Sequence, residues 1–182
     1  MGLSVKIKVM LEHKYCSVCG SPLEKRIPSK DTRERLCCPR CQYICYLNPK
    51  PTVKGLVVKD GNVLFVRRAE EPGLGGWDFP GGYLEWDEHP ETGLVREIEE
   101  ETGLITQIDR LLGVYHKVWK WDHMDSSIVN ITYVCNYVSG TPLVGMPHEI
   151  DDVVWAPLDK PPGWVAFGHY KDVLAQNPLT GS

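Results

Sequence analysis

Three glutamates lie close together on a segment rich in helix-forming residues. Glu97, Glu100 and Glu101 are spaced i, i+3 and i+4, so on a helix their carboxylates emerge within one turn of each other. Like charges at this spacing repel and raise one another's pKa unless a cation compensates them. Carboxylate oxygens select Mg²⁺ or Mn²⁺. The pattern indicates a divalent cation site, although the three residues alone would fit a solvated acidic helix face more commonly.

Four cysteines form a second candidate metal site of different chemistry. The pairs Cys16 with Cys19 and Cys38 with Cys41 are two C-x2-C motifs separated by 18 residues, a spacing typical of one tetrahedral Zn²⁺. Four thiolates leave no open position for water, so this zinc is expected to be structural. Cys37 stands beside Cys38 and leaves a shifted ligand set open.

A longer pattern surrounds the three glutamates and resembles the Nudix box. Its matching positions are Gly82, Glu88, Arg96, Glu97, Glu100, Glu101 and Gly103. Upstream, the segment from Cys16 to Asn48-Pro49 resembles the zinc ribbon that precedes this domain in one branch of the Nudix hydrolase superfamily. The resemblance implies an α/β fold, an α/β/α sandwich around a mixed sheet, with a small N-terminal zinc ribbon. It also implies hydrolysis of a nucleoside diphosphate linked to another moiety.

The resemblance assigns a set of ligands for the catalytic metal. Glu97 and Glu101 are expected to be the principal ligands of Mg²⁺ or Mn²⁺, and Glu100 in the same cluster is expected to bind a second ion. The loop of Gly81 and Gly82 is expected to bring a main-chain carbonyl, that of Gly81, to the metal. The metal would bridge pyrophosphate oxygens and lower the pKa of the attacking water.

Further catalytic roles fall on residues around the box. Arg96 is expected outside the metal face, where its guanidinium can pair with Glu88 and hold the loop against the helix. The general base is expected to be Glu149, in a late acidic loop, although a solvated turn explains that residue equally well.

Four residues are candidates for binding the substrate. Arg67 and Arg68 end a predicted strand ahead of a glycine-rich loop, where at least one could meet a substrate phosphate. Trp119 and Trp121 alternate along a predicted strand and could stack on a base, although aromatic residues at this period more often belong to a core.

Predicted elements place these residues in a mixed α/β order. Asp60-Gly61-Asn62 has the chemistry of a hairpin turn, Pro90 suits the first turn of a helix, and Gly103 suits the position after its end. Cys135 falls in an apolar strand pattern and is expected in the core. The domains are expected at 1–48 and 49–182. The expected elements are strands at 52–58 and 63–67, a helix at 89–102, strands at 110–119, 127–138 and 153–155, and a helix at 168–176.

Composition and charge exclude several classes of protein. The 182 residues are 42% hydrophobic and 24% charged, which is close to a globular average and unlike a disordered or coiled-coil chain. No apolar run is long enough to span a bilayer, and no secretory signal is evident, so a cytoplasmic enzyme is expected. The oligomeric state stays open, with a homodimer as one option.

The basic N-terminal part raises the question of a nucleic-acid partner. Residues 1–50 carry ten Lys and Arg against four Asp and Glu, whereas the rest of the chain carries ten against twenty. A solvated basic face is the favoured explanation, because no aromatic residues are expected to interleave the charges as a single-strand platform requires. Nucleic acid is therefore not the expected partner, and a small nucleotide-type molecule is.

The motifs that accompany particular Nudix substrates do not settle the substrate. The signatures typical of NADH, of many ADP-ribose, of diadenosine polyphosphate and of CoA hydrolases are missing from their positions around the box. ADP-ribose, FAD or a similar dinucleotide then suits the zinc-ribbon branch best. The alternative function is a Nudix-fold module that senses or binds a nucleotide without turnover, which the intact glutamate set argues against.

Overall fold

The computed structural model describes residues 13–121, 124–176 and 178–179, without the side chains of residues 119–121, 124 and 125. The chain divides into two compact units. One comprises the chain up to Pro49 together with Val118–Ser127, and the other comprises Lys50–Lys117 and the chain from Ile128 onward. Within the described ranges, no helix is long and apolar enough to cross a membrane.

The N-terminal unit contains a small antiparallel sheet. Its strands are β1 (Glu24–Arg26), β2 (Arg35–Cys37) and β3 (Ile44–Cys45), in the order β1-β2-β3. Each C-x2-C pair closes a tight turn: Gly20 donates to the Cys16 carbonyl at 2.9 Å, and Gln42 donates to the Cys38 carbonyl at 3.1 Å. Both donors have positive φ, 71° for Gly20 and 62° for Gln42, which lets the chain reverse.

One premise about this unit is wrong. Aromatic side chains do accompany its basic residues, since Tyr15, Tyr43 and Tyr46 are exposed and the guanidinium of Arg35 lies 5.2 Å from the ring centroid of Tyr46. Arg35 also pairs with Asp31 at 2.9 Å, so part of the positive charge is compensated within the unit.

A mixed six-stranded sheet organises the second unit. Its strands are β4 (Lys50–Lys59), β5 (Asn62–Arg68), β6 (Trp77–Asp78), β7 (Ile105–Trp121), β8 (Met124–Ser139) and β9 (Ile150–Ala156). They run in the order β6-β5-β4-β8-β7, and β9 pairs with β5. The long strand β4 pairs in parallel with β8 and in antiparallel with β5. A turn at Asp60 and Gly61, both at positive φ, joins β4 to β5, as the hairpin chemistry predicted.

Two helices pack on the sheet, each within its own hydrophobic cluster. The longer, α1 (Pro90–Thr102), buries Leu94 and Ile98 in a cluster with side chains of β4 and β8, including the fully buried Cys135. The shorter, α2 (His169–Leu174), contributes Tyr170 to the other cluster. The arrangement is the α/β/α sandwich expected from the sequence.

Local signals at both ends explain where α1 begins and ends. The side chain of His89 accepts a hydrogen bond from the Glu91 amide at 3.3 Å, and Pro90 occupies the first turn. Gly103 follows the helix at a φ of 68°, and its amide donates to the Glu99 carbonyl. The observed helix is one residue shorter than the predicted 89–102.

Candidate active site

The helix α1 buries two of its glutamates and exposes the third. Glu97 and Glu101, one turn apart, are only 8% and 4% exposed, whereas the side chain of Glu100 is 46% exposed. The two buried carboxylates lie on the flank of the helix beside Leu94 and Ile98, which anchor α1 to the sheet. Packing of the apolar stripe therefore fixes Glu97 and Glu101 next to the sheet.

A glycine loop after β6 meets these two carboxylates directly. The amide of Gly81 donates to Oε2 of Glu101 at 2.8 Å. Gly81 has a φ of 128°, and a Cβ there would lie 2.3 Å from the Val53 carbonyl oxygen. A Cβ on Gly82 would lie 2.6 Å from Oε2 of Glu97. Gly81 needs glycine, because of its positive φ and because a side chain there would collide with the main chain of β4, whereas a side chain at position 82 would crowd the carboxylate of Glu97.

The environment of the buried glutamates disfavours their charged forms. Burial raises the pKa of Glu101 to about 7, although the charge of Lys54 and the Gly81 amide oppose the shift. Burial also raises the pKa of Glu97, against the opposing charge of Arg96. Such carboxylates gain most from an added cation, because it compensates a charge that water no longer solvates. This is the observation on the site that fits a hard divalent metal.

Arg96 joins the helix to the loop that precedes it. Its Nε and Nη2 reach the two carboxylate oxygens of Glu88 at 2.8 and 3.0 Å, a two-point contact that matches the guanidinium fork. Hydrogen bonding from Arg96 lowers the pKa of Glu88. This pairing is the one expected from the sequence.

Arg96, which was expected outside the metal face, also contacts two glutamates of the acidic cluster. Its Nη1 lies 3.0 Å from Oε1 of Glu97 and 2.9 Å from Oε2 of Glu100. The guanidinium thus supplies positive charge to the cluster and pairs with the side chains of Glu97 and Glu100. Among the described residues, no three carboxylates gather within 4.8 Å, and the only such set of metal-binding atoms is formed by cysteines.

A buried charged trio behind the loop was missed by the sequence analysis. Nζ of Lys54, on β4, lies 2.9 Å from Oδ2 of Asp78, and Nε2 of His169 lies 3.2 Å from the other carboxylate oxygen. Burial opposes ionisation of Asp78, but the charges of Lys54 and His169 outweigh it and lower its pKa. The one signal in the sequence that could have indicated this trio is Lys54, a lysine inside the apolar run of β4.

The four cysteines predicted as zinc ligands come together in the N-terminal unit. The Sγ atoms of Cys16, Cys19, Cys38 and Cys41 all lie within 4.8 Å of one another. The distance is 3.6 Å from Cys16 to Cys41 and 3.5 Å from Cys19 to Cys38. Tetrahedral ZnS₄ geometry places sulfurs about 3.8 Å apart. Cys37 lies outside the set, with its Sγ 3.7 Å from the Arg35 carbonyl, so the structure selects Cys38 over Cys37.

The two arginines predicted to bind phosphate are engaged within the protein. Arg67 Nε lies 2.6 Å from Oδ1 of Asp151, which raises the arginine pKa, and Arg68 Nε donates to the Pro72 carbonyl at 2.7 Å. The guanidinium of Arg68 also lies 5.2 Å from the ring centroid of Phe167. Either arginine would have to share or exchange these partners to contact a phosphate.

The remaining candidates are placed only in part. Glu149 directly precedes β9, and its carboxylate lies 3.3 Å from Nε2 of His148, at 39% side-chain exposure. The loop before it is held on the end of α1, since the Gly145 amide donates to the Glu101 carbonyl at 2.8 Å. Trp119 and Trp121 lie on β7, but their side chains fall outside the described residues.

Comparison with known proteins now defines the class. The chain matches the NUDIX domain family over residues 49–174 and the Nudix N-terminal family, a zinc ribbon, over residues 14–47. The chain therefore belongs to the Nudix family, in the branch that carries an N-terminal zinc ribbon.

Individual relatives support this membership. A crystal structure of a NUDIX hydrolase from Nitrosomonas europaea superimposes with a TM-score of 0.75 at 31% identity, covering 88% of each chain. An ADP-ribose pyrophosphatase of Methanocaldococcus jannaschii is 35% identical over 99 residues, 54% of this chain and 57% of the relative. The NAD-capped RNA hydrolase NudC of Pseudomonas aeruginosa is 27% identical over 164 residues, 89% of this chain and 54% of the relative. The chain thus spans about half the length of these curated relatives.

Proposed function

We propose that this protein hydrolyses the pyrophosphate bond of a nucleoside diphosphate linked to another moiety, with Mg²⁺ or Mn²⁺ at the carboxylates of α1. The observation that carries the proposal is the junction of Gly81 with Glu101. Two buried glutamates with raised pKa meet a loop that can offer a carbonyl oxygen, and such hard oxygen ligands match Mg²⁺ and Mn²⁺.

The ligands would be Glu97, Glu101 and the carbonyl of Gly81, with Glu100 added for a second ion. The bound metal would neutralise pyrophosphate oxygens and lower the pKa of the attacking water. Arg96 would have two roles. It keeps Glu88 and its loop against α1, and it compensates the charge of Glu100 when no second ion is bound.

Hydrolysis requires a base that accepts the proton of the attacking water, in addition to the metal site. Oxygen of water forms a bond to one phosphorus, the bond from that phosphorus to the bridging oxygen breaks, and the departing phosphate carries the electron pair. Glu149 is the proposed acceptor of the water proton, because its carboxylate is partly exposed and its loop is held on the end of α1. Arg67, Arg68, Trp119 and Trp121 are proposed contacts for the substrate.

The proposed substrates are ADP-ribose and related dinucleotides such as FAD. A relative named as an ADP-ribose pyrophosphatase and several named as NAD-capped RNA hydrolases favour an adenosine diphosphate linked to a second group. The N-terminal cysteines are proposed to hold one structural Zn²⁺, which would close the ribbon without taking part in the reaction.

A substrate panel tests the proposal. ADP-ribose, FAD, NADH and an NAD-capped RNA are incubated with the zinc-loaded protein and Mg²⁺ or Mn²⁺, and the products are separated by chromatography. The expected result is a metal-dependent pair of monophosphate products from at least one substrate. Glu101→Gln should abolish them, whereas Glu99→Gln, an exposed glutamate of the same helix, should not. Binding without products would instead support a nucleotide-sensing module.

A further inference from the structure

Lys54 is a buried lysine whose ammonium contacts three acceptors. It is 8% exposed, and its Nζ lies 2.9 Å from Oδ2 of Asp78, 3.0 Å from the Phe79 carbonyl and 2.8 Å from the Gly81 carbonyl. The two carbonyls accept hydrogen bonds from the ammonium, and Asp78 forms an ion pair with it. A buried lysine destabilises the fold unless it is paired. The partners of Lys54 are Asp78 at the end of β6 and two carbonyls of the loop that follows.

The loop lies along β4 with its carbonyls pointing alternately to two different partners. Pro80 and Gly82 accept main-chain hydrogen bonds from Gly55 and Val53, both at 2.9 Å. Phe79 and Gly81, between and before them, accept from the ammonium of Lys54. Backbone pairing with the strand thus holds one set of carbonyls, and a single side chain holds the other set.

Gly81 is consequently fixed at both ends of its residue. Its amide donates to Glu101 and its carbonyl accepts from Lys54, each at 2.8 Å. A carbonyl oxygen has two lone pairs, so the contact with Lys54 leaves one available to another electron-pair acceptor. Without the ammonium, the two neighbouring peptide planes could rotate, and the Gly81 carbonyl would lose the direction that Lys54 now sets.

We propose that Lys54 is a positioning residue for the divalent cation site, fixing the Gly81 carbonyl in the orientation in which it completes the ligand set of Glu97 and Glu101. The proposal rests on the metal site of the proposed function. It predicts that Lys54 affects metal affinity in the way that residues supporting metal ligands do, where loss of such a partner costs about 10- to 100-fold.

A simpler explanation is that Lys54 only neutralises Asp78. Removing one member of a buried ion pair leaves the other unpaired and destabilises the fold. Removing both charges with residues of similar shape avoids that penalty and leaves the net charge near the site unchanged. The variant Lys54→Met with Asp78→Asn therefore separates the two explanations, since it can restore the fold but cannot restore the contact with the Gly81 carbonyl.

The test measures Mn²⁺ binding and thermal unfolding on the same zinc-loaded proteins. Mn²⁺ is titrated calorimetrically into the wild type, Lys54→Met, the double variant, and Lys59→Met as the control. Lys59 lies on the same strand, with its Nζ 4.0 Å from the ring centroid of Tyr137. We expect Lys54→Met to melt at a lower temperature, the double variant to regain most of the wild-type melting temperature, and its Mn²⁺ affinity to stay at least about tenfold weaker.

Three outcomes would overturn the proposal. Wild-type Mn²⁺ affinity in the folded double variant would mean that Lys54 serves only Asp78. A double variant that does not fold would mean that the lysine is needed for the structure as a whole. An equal loss of affinity in Lys59→Met would show a general effect of charge. Because the readout is metal binding, a wild type that binds Mn²⁺ but cleaves no member of the substrate panel would refute the proposed function and leave the role of Lys54 testable.

Discussion

Binding of Mg²⁺ should release protons, because burial keeps Glu101 partly protonated near neutral pH in the metal-free protein. Burial raises the pKa of this carboxyl from 4.5 to about 7. A metal ligand must be deprotonated, so the proton has to leave when the metal binds. For a single group of that pKa, binding releases about 0.5 proton at pH 7 and about 0.9 at pH 6. The same linkage weakens apparent Mg²⁺ affinity about tenfold between pH 8 and pH 6.

Calorimetry measures this proton release directly. Mg²⁺ is titrated into the zinc-loaded protein at pH 6.5 in several buffers with different heats of ionisation, and the slope of observed heat against ionisation heat gives the number of protons. A slope of zero, together with equal affinity at pH 6 and pH 8, would refute the reasoning. It would mean that Glu101 is already charged without the metal, or that it is not a ligand.

The raised pKa also has a consequence for folding. The folded protein binds the Glu101 proton more tightly than the unfolded chain does, so its contribution to stability is complete below pH 4.5 and is lost as the pH rises through about 7. The full effect of a shift of this size is about 3 kcal/mol. Unfolding of the Mg²⁺-free, zinc-loaded protein should become easier from pH 5 to pH 8. The Glu101→Gln protein should show a weaker dependence, because glutamine does not titrate.

Four other substitutions give distinct expected results. Gly82→Ala should cut turnover at least about tenfold without unfolding the protein, because its Cβ would stand 2.6 Å from Oε2 of Glu97; steady-state kinetics and circular dichroism check this. Cys38→Ser should remove zinc, whereas Cys37→Ser should retain it, as measured by metal analysis of the purified proteins. Arg96→Lys should lower turnover about tenfold at unchanged zinc content, since an ammonium cannot reproduce the two-point guanidinium contact.

Each of these expectations has a matched control or a contradicting result. Gly168→Ala adds the same methyl group where nothing lies within 4 Å of the new Cβ, so it should leave turnover unchanged. Zinc loss in Cys37→Ser would move the ligand set by one residue. Wild-type turnover in Arg96→Lys would show that a positive charge at this position is sufficient and that the two-point guanidinium contact with Glu88 is not required.

The sequence predicted those parts of the fold in which neighbouring residues set the backbone conformation. The ends of α1 follow from Pro90 and Gly103, and the β4–β5 turn follows from Asp60-Gly61, because these residues set the backbone conformation by themselves. The parallel pairing of β4 with β8, by contrast, joins residues such as Val53 and Ile131. No local pattern specifies a partner that far along the chain, so the order of strands could come only from the family resemblance.

In the candidate site, too, the sequence predicted what depends on neighbouring residues and not what depends on residues far apart in the chain. The i, i+3, i+4 spacing of the glutamates fixed their common side of a helix, but it could not tell that Glu100 would pair with Arg96 while its neighbours were buried. The role of Lys54 depends on Asp78 and the loop after it, residues brought to β4 by the fold. Its partners therefore cannot be deduced from the apolar run in which it stands.

The buried charges of the described residues suggest why metal binding and stability are linked here. The buried carboxylates are Asp78, Glu97 and Glu101, and Lys54 is the only buried lysine or arginine in the described part of the chain. The negative groups outnumber the positive ones even when His169 beside Asp78 is counted, and Arg96 contributes from the partly exposed rim. A divalent cation would supply compensating positive charge. In the metal-free protein, burial instead favours the protonated forms of Glu97 and Glu101, so the residues that would bind the metal have raised pKa values.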